Sequence, residues 1–293
     1  MLFFPNCKIN LGLRILRRRP DGYHDLETIF YPLPLKDSLE SIRLSPESAG
    51  AASEQPSVQD QPSNHEPGTP RFSSYGLHIP GDPENNLCLK AWRLLKADFP
   101  ALPAVHLHLL KNIPIGAGLG GGSADGAWTL RGLNTQFHLG LSQDQLLHYA
   151  AQLGSDCPFF ILNTPCLGGG RGEQLQPITL DLSRYTFVLV DPGIHISTAQ
   201  AFSLCTPAEN PVPLKTIISQ PIETWPDTLH NDFESPVFQL HPELRTIKDT
   251  LYAHGALYAS LTGSGSSFFG IFPKDQAPRN PGFHFSYNYR ILP

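Results

Sequence analysis

Pro114-Ile115-Gly116-Ala117-Gly118-Leu119-Gly120-Gly121-Gly122-Ser123 lies between two segments of different hydrophobic period. Before it, Val105 to Leu110 alternates apolar residues with histidines, the period-2 pattern of a half-buried strand, with His106 and His108 on its more polar face. After it, Ser123 to Phe137 sets Ala127, Leu130 and Leu133 three apart on one helical face. The glycines therefore lead from a strand into the mouth of a helix. Glycine lacks the Cβ that keeps backbone amides away from an anion, and the following helix turns its positive end to the same place. A phosphate chain is the natural occupant of such a loop.

Two familiar phosphate loops fit less well. Gly116, Gly118 and Gly121 spell G-x-G-x-x-G, but Asn112, Ile113 and Pro114 separate them from the strand, and no Asp or Glu stands between Asp125 and Asp144 to meet a ribose. A Walker loop would place Lys-Ser or Lys-Thr after the glycines, and neither occurs there.

Working outward, Cys7 to Leu16 and Leu26 to Leu33 read as strands, with Arg17 to Gly22 as the loop between them. Ser45 to Ser74 holds five Pro and seven Ser, with only Val58 and Phe72 large and apolar. That composition cannot repay its ordering entropy and predicts a flexible insertion. Asn86 to Ala97 is predicted helical, with Pro100 as its stop. Ser142 and Gln145 form a capping box for a helix through Leu153, and Gly154 is expected to end it in a left-handed conformation. Later come a glycine turn at Gly168 to Gly172, a strand at Thr186 to Val190 and a helix at Pro242 to Gly255. Strands at Leu257 to Leu261 and Phe268 to Phe272 flank the loop Gly263 to Ser267.

The 293 residues are 40% hydrophobic and 16% charged, which suits a globular chain long enough for two domains. A formal charge of -5 provides no field to gather polyanions, so nucleic acid is not an expected partner. Cys7, Cys88, Cys157, Cys166 and Cys205 are scattered without C-x-x-C spacing, which argues for a reduced, cytoplasmic protein and against a zinc site. Pro5 stops the short run Leu2-Phe3-Phe4, and no apolar stretch is long enough for a membrane span. His106 and His108 read as strand-surface residues, and no metal ligands are identified.

Lys8-Ile9-Asn10-Leu11-Gly12-Leu13, then Pro114 to Ser123, then Leu261-Thr262-Gly263-Ser264-Gly265 resemble, in order, the three motifs of the GHMP small-molecule kinases. Further strings resemble the branch of that superfamily acting on 4-diphosphocytidyl-2-C-methyl-D-erythritol in non-mevalonate isoprenoid synthesis. They are Arg19-Pro20-Asp21-Gly22-Tyr23-His24 with Leu26-Glu27-Thr28, and Gly154-Ser155-Asp156-Cys157-Pro158-Phe159-Phe160. Gly170-Arg171-Gly172-Glu173, Pro192-Gly193-Ile194 and Asn231-Asp232-Phe233-Glu234 strengthen the match. Departures are Cys7 where the family usually has Ala, Ala124-Asp125-Gly126 after Ser123, and Gly-Ser-Gly-Ser-Ser in the last motif.

The resemblance implies an α+β fold in two lobes. The first, residues 1–163, would be an ATP-binding domain like domain 2 of ribosomal protein S5, carrying the 45–74 insertion. The second, residues 164–293, would be a ferredoxin-like substrate domain. It implies ATP with Mg2+ as co-substrate, phosphorylation of the 2-hydroxyl of the cytidylated polyol, and a monomer or weak homodimer. Asp156 matches the catalytic aspartate, and Lys8 matches the lysine that would pair with it and orient the hydroxyl. Pro114, Gly116, Ala117, Gly118, Leu119, Gly120, Gly121, Gly122, Ser123, Ala124, Asp125 and Gly126 would hold ATP, with Lys111, Asn86 and Leu87 around the adenine. Tyr23 and Phe202 would sandwich the cytosine, His24 would meet its edge, and Asn10 and Thr198 would hydrogen-bond the substrate.

Overall fold

The computed structural model describes residues 1–45, 68–207, 212–278 and 287–292. In chain order its elements begin with β1 (Leu2–Phe3), β2 (Asn6–Arg18), β3 (His24–Lys36), β4 (Ser38–Arg43), β5 (Arg71–Gly76), α1 (Leu87–Asp98), β6 (Val105–Lys111) and α2 (Gly121–Gln136). There follow α3 (Gln143–Leu153), α4 (Cys157–Leu162), β7 (Cys166–Gly169), β8 (Gln174–Pro177), β9 (Tyr185–Asp191), α5 (Thr198–Leu204) and α6 (Leu214–Ile218). The chain ends with α7 (Trp225–Thr228), α8 (Glu234–Leu240), α9 (Arg245–Ala253), β10 (Tyr258–Leu261), β11 (Phe268–Pro273) and β12 (Asn288–Leu292). They fall into two compact units.

One unit comprises Met1–Cys7, Leu35–Ile115 and Gly121–Asn163. Its sheet runs β1-β4-β6-β5, with β4 antiparallel and β5 parallel to β6. Val105, Leu107 and Leu109 of β6 are fully buried while His106 and His108 on the other face are partly exposed, so the period-2 pattern reports the true sidedness of the strand. Among the described residues, α1 to α4 belong to this unit. α1 buries Cys88, Leu89, Ala91, Trp92 and Leu95, each large aliphatic group contributing about 1.5–3 kcal/mol. α2 offers small residues instead: a Cβ on Gly126 would lie 2.8 Å from that of Leu87, so glycine sets how closely α1 and α2 approach. The capping box forms at the start of α3 as its sequence requires.

The other unit comprises Lys8–Pro34, Gly116–Gly120 and Thr164–Pro293. It holds two four-stranded sheets, β2-β3-β7-β8 and β10-β11-β9-β12. Leu13, Ile15 and Leu26 from the first, and Val188, Val190, Phe268 and Phe272 from the second, share a core with Val237 of α8 and Ile247 and Leu251 of α9. The mixture of sheets and helices in both units matches the expected α+β class.

Three local expectations are corrected. Arg17 and Arg18 belong to β2 and not to a loop, because strand ladders tolerate long charged side chains at an exposed end, where Arg17 pairs with Asp25 of β3 at 2.5 Å. Of the expected 45–74 insertion, residues 46–67 lie outside the described residues, but Arg71 to Ser74 form most of β5. That edge strand needs little apolar burial, since its backbone pairs with β6 and the Ser73 hydroxyl meets His106 Nε2 at 2.8 Å. Gly154 closes α3 with φ 170°, which is extended and not left-handed, while its N–H still bonds Ala150 O.

Candidate active site

Three motifs spread over more than 250 residues of sequence meet at one carbonyl in the second unit. Lys8, on β2, is 3% exposed and donates from Nζ to Gly118 O at 3.0 Å and to Asn10 Oδ1 at 2.6 Å. Thr262 donates from Oγ1 to the same Gly118 O at 3.1 Å and accepts from Asn10 N at 3.1 Å. The Phe30 ring lies 5.4 Å below the Lys8 ammonium and adds a cation–π contact. Lys8 N also bonds Leu119 O, so strand and loop are joined through backbone as well as side chain. The β2 pattern places Lys8, Asn10 and Gly12 on one face and the apolar Ile9, Leu11 and Leu13 on the other, which is why these polar groups share a locality.

The glycine loop needs its composition for two separate reasons. Gly116, Gly118 and Gly120 have φ of 66°, 79° and 69°, the left-handed region open to glycine at no cost. A Cβ on Gly118 would also fall 2.0 Å from Thr262 O. Gly122, in the first turn of α2, has nothing within 4 Å of where its Cβ would be. Backbone N–H groups in that first turn have no carbonyl partner within the helix, and the helix dipole points out through them. Such a terminus suits an anion.

In the first unit, Lys111 has a different setting from the one expected beside an adenine. Its Nζ is buried between Asp37 Oδ2 at 2.5 Å and Asp125 Oδ2 at 2.7 Å. Burial works against the ammonium charge, but the two carboxylates outweigh it and raise the Lys111 pKa. Burial also drives the Asp125 carboxyl up, to about 8, with the Lys111 ammonium only partly offsetting it and Asp37 adding to the rise. Asp125 Oδ1 has no hydrogen-bond partner, consistent with a carboxyl that retains a proton. Asp125 is thus a buried partner of Lys111. Asp37 Oδ1 accepts from Asn112 N and Ile113 N, so this cluster fixes the chain just before the glycine loop and just after it.

Asn86 caps α1, its Oδ1 accepting from Cys88 N at 2.9 Å, and Leu87 begins that helix. Asp156 precedes α4 with helical φ and ψ and makes no side-chain capping bond there, so capping does not explain the residue. Next to it, burial pushes the Cys157 thiol up to about 12, which removes it as a nucleophile.

The aromatic residues expected around the cytosine each have a protein neighbour. Tyr23 is 55% exposed, which excludes a core role, and the Arg171 guanidinium covers one of its faces at 4.8 Å. Phe202, on α5, stacks with His24 at 5.0 Å and packs edge-on against Phe233. Leu26 N bonds Gly170 O, which brings the turn bearing Arg171 beside the one bearing Tyr23. Thr198, the first residue of α5, meets Ser264 of the third motif, oxygen to oxygen, at 3.0 Å.

Sequence reasoning did not single out Thr28, Asp37, Arg171 or Asn231 as functional, although Thr28, Arg171 and Asn231 stand inside quoted motifs. Asn231 Nδ2 donates to both Leu261 O and Gly263 O and shapes the third motif. Thr28 stands where β3 passes from His24, Asp25 and Glu27 to the apolar Ile29 and Phe30, and nothing in that pattern marks it apart. Among the described residues, no group of three or more His, Cys, Asp or Glu could hold a metal ion, and no helix is long and apolar enough to cross a membrane.

Residues 86–164 match the family model described as GHMP kinases N terminal domain, and residues 215–280 match GHMP kinases C terminal. A 4-diphosphocytidyl-2-C-methyl-D-erythritol kinase of Bacteroides thetaiotaomicron is 47% identical over 272 residues, covering 93% of this chain and 92% of that protein. One from Cytophaga hutchinsonii is 44% identical over 273 residues, covering 93% and 92%. Among solved structures, a 4-(cytidine 5'-diphospho)-2C-methyl-D-erythritol kinase superposes with a TM-score of 0.78 at 28% identity, covering 100% of this chain and 99% of that one.

Proposed function

We infer, because this chain belongs to the GHMP kinases and among them to the 4-diphosphocytidyl-2-C-methyl-D-erythritol kinase family, that it transfers the γ-phosphoryl group of ATP to the 2-hydroxyl of that cytidylated polyol. The products are the 2-phosphate and ADP. The geometric observation that carries this reading is the meeting of Lys8, the glycine loop and Thr262 at Gly118 O. A kinase of this kind works by positioning and by charge stabilisation, with no covalent intermediate.

In this reading the triphosphate lies on the loop from Pro114 through Gly116, Ala117, Gly118, Leu119 and Gly120, and on the first turn of α2 at Gly121, Gly122, Ser123, Ala124 and Gly126. Asn86, Leu87 and the Lys111 backbone lie around the adenine. Asp156 accepts or orients the proton of the attacking hydroxyl, and the Lys8 ammonium stabilises charge on the acceptor oxygen. Tyr23 stacks on the cytosine with its uncovered face, and His24, Phe202, Thr198 and Asn10 complete the acceptor's surroundings. Magnesium bound with ATP would neutralise charge on the phosphates, and no group of three His, Cys, Asp or Glu among the described residues identifies protein ligands for it. The partners are small molecules and not nucleic acid, and the reaction is placed in the cytoplasm, in a monomer or weak homodimer. The net charge of -5 and five free cysteines support that setting.

Release of ADP, followed in a coupled assay with the cytidylated polyol, mevalonate and homoserine in parallel, tests the assignment. Only the first is expected to support turnover, and CDP or CMP should compete with it. Asp156→Asn and Lys8→Met are each expected to lower kcat by about 10²- to 10⁴-fold with ATP binding retained. Near-normal turnover in either variant removes that residue from the mechanism.

A further inference from the structure

Thr28 lies on β3 and is completely buried, yet its hydroxyl uses both of its capacities. It donates to Gly12 O at 2.7 Å and accepts from Asn10 Nδ2 at 2.9 Å. A hydroxyl has one proton, and here that proton is given to a backbone carbonyl, so the oxygen can only accept from its other neighbour. The Asn10 amide must therefore present NH2 to Thr28 and its carbonyl oxygen to the opposite side. That oxygen receives the Lys8 ammonium at 2.6 Å. The orientation of an amide is set by its network, and this network allows a single answer, because an ammonium has no lone pair and can only donate.

We propose that Thr28 is a positioning residue for phosphoryl transfer: by fixing the Asn10 amide, it keeps a carbonyl oxygen on the Lys8 ammonium and holds that charge against the glycine loop at Gly118. The inference rests on the reading of Lys8 as catalytic. The relay runs from Gly12 O through Thr28 and Asn10 to Lys8, and three of its four residues are buried side chains of the second unit. Valine at position 28 keeps the shape of threonine and removes the hydroxyl. Asn10 would then either leave its NH2 unpaired in a buried place or turn over and set that NH2 against the ammonium. Both outcomes reach Lys8 through the Asn10 amide, two hydrogen bonds away from the Thr28 hydroxyl.

The test compares kcat and both KM values for wild type, Thr28→Val, Thr28→Ser, Asn10→Ala, the Thr28→Val/Asn10→Ala double variant and Lys8→Met. The loss of one charge-assisted contact should lower kcat of Thr28→Val by about 10- to 100-fold, with the KM for ATP and for the polyol essentially unchanged. Thr28→Ser should recover most of the rate, and Thr28→Val should cost nothing further once Asn10 is alanine, because both act through one relay. The proposal is overturned if Thr28→Val turns over like wild type, if serine does not rescue, or if the two substitutions multiply independently. Where valine is not accommodated, Thr28→Ala enters the same cycle and is judged by the same outcomes. Full activity in Lys8→Met would instead refute the catalytic reading of the lysine, a result separate from any obtained at Thr28.

Discussion

At Lys111 the same residue has a very different role from the one its place in the sequence suggests. A lone lysine at the end of a strand gives no hint that Asp37 and Asp125, 74 residues before it and 14 after, will close on it. Removing the cation leaves the carboxyl groups of Asp37 and Asp125 buried without their countercharge, so Lys111→Met is expected to lose about 3–5 kcal/mol in urea unfolding. Asp125 adds a pH signature. Unfolded, its carboxyl gives up a proton near its ordinary value of 3.8, and folded it holds the proton to about 8. Between those values the folded state binds more protons, so this group's stabilisation is complete at acid pH and lost as the pH rises towards 8. Unfolding free energies measured from pH 5 to 8.5 should decline with pH in the wild type, and the decline should be smaller in Asp125→Asn. Equal slopes would show that Asp125 is ionised throughout. At Tyr23 the exposed ring predicts that Tyr23→Ala weakens CDP binding by about 1–3 kcal/mol, read by titration calorimetry, with ATP affinity unchanged.

Among elements, the glycine loop and its helix were the most legible, because their signal is local: a change of period on either side and a run of residues without Cβ. The same holds for the capping box of α3 and for the alternation in β6. Less legible were elements whose stability comes from distant partners. β5 was masked by a composition poor in apolar residues, and its order is owed to pairing with β6 and to one hydroxyl–imidazole contact. The short helices α4 to α8 are too brief for a hydrophobic period to declare itself. Gly118 of the loop and Gly122 of the first turn of α2 should respond differently to alanine. Gly118→Ala combines a left-handed φ with a Cβ 2.0 Å from backbone and is expected to unfold at distinctly lower temperature. Gly122→Ala meets open space, so its thermal midpoint should stay near that of the wild type while its affinity for ATP falls. An unchanged affinity in Gly122→Ala would move the triphosphate away from the first turn of α2.

For the whole molecule, the α+β class and the kinase chemistry were visible in three motifs and their order, since each motif carries its own residue types. What the order of the chain concealed is that compactness does not follow it: Lys8–Pro34 and Gly116–Gly120 belong with the unit that contains residues from Thr164 onward. The loop from Gly116 to Gly120 and the strand from Lys8 share a unit with Thr262, and the convergence at Gly118 O follows from that. The partners of an ammonium such as Lys8 are set by the folded chain and could not be read from spacing. The most direct test of the chemistry is the phosphorus NMR spectrum of the product formed from ATP and the cytidylated polyol. Carbon 2 bears a methyl group and no hydrogen, so transfer to its hydroxyl should give a new phosphate-ester signal without three-bond splitting by a proton. A split ester signal, which phosphate on any other hydroxyl of the polyol would produce, or the absence of a new ester, would contradict it.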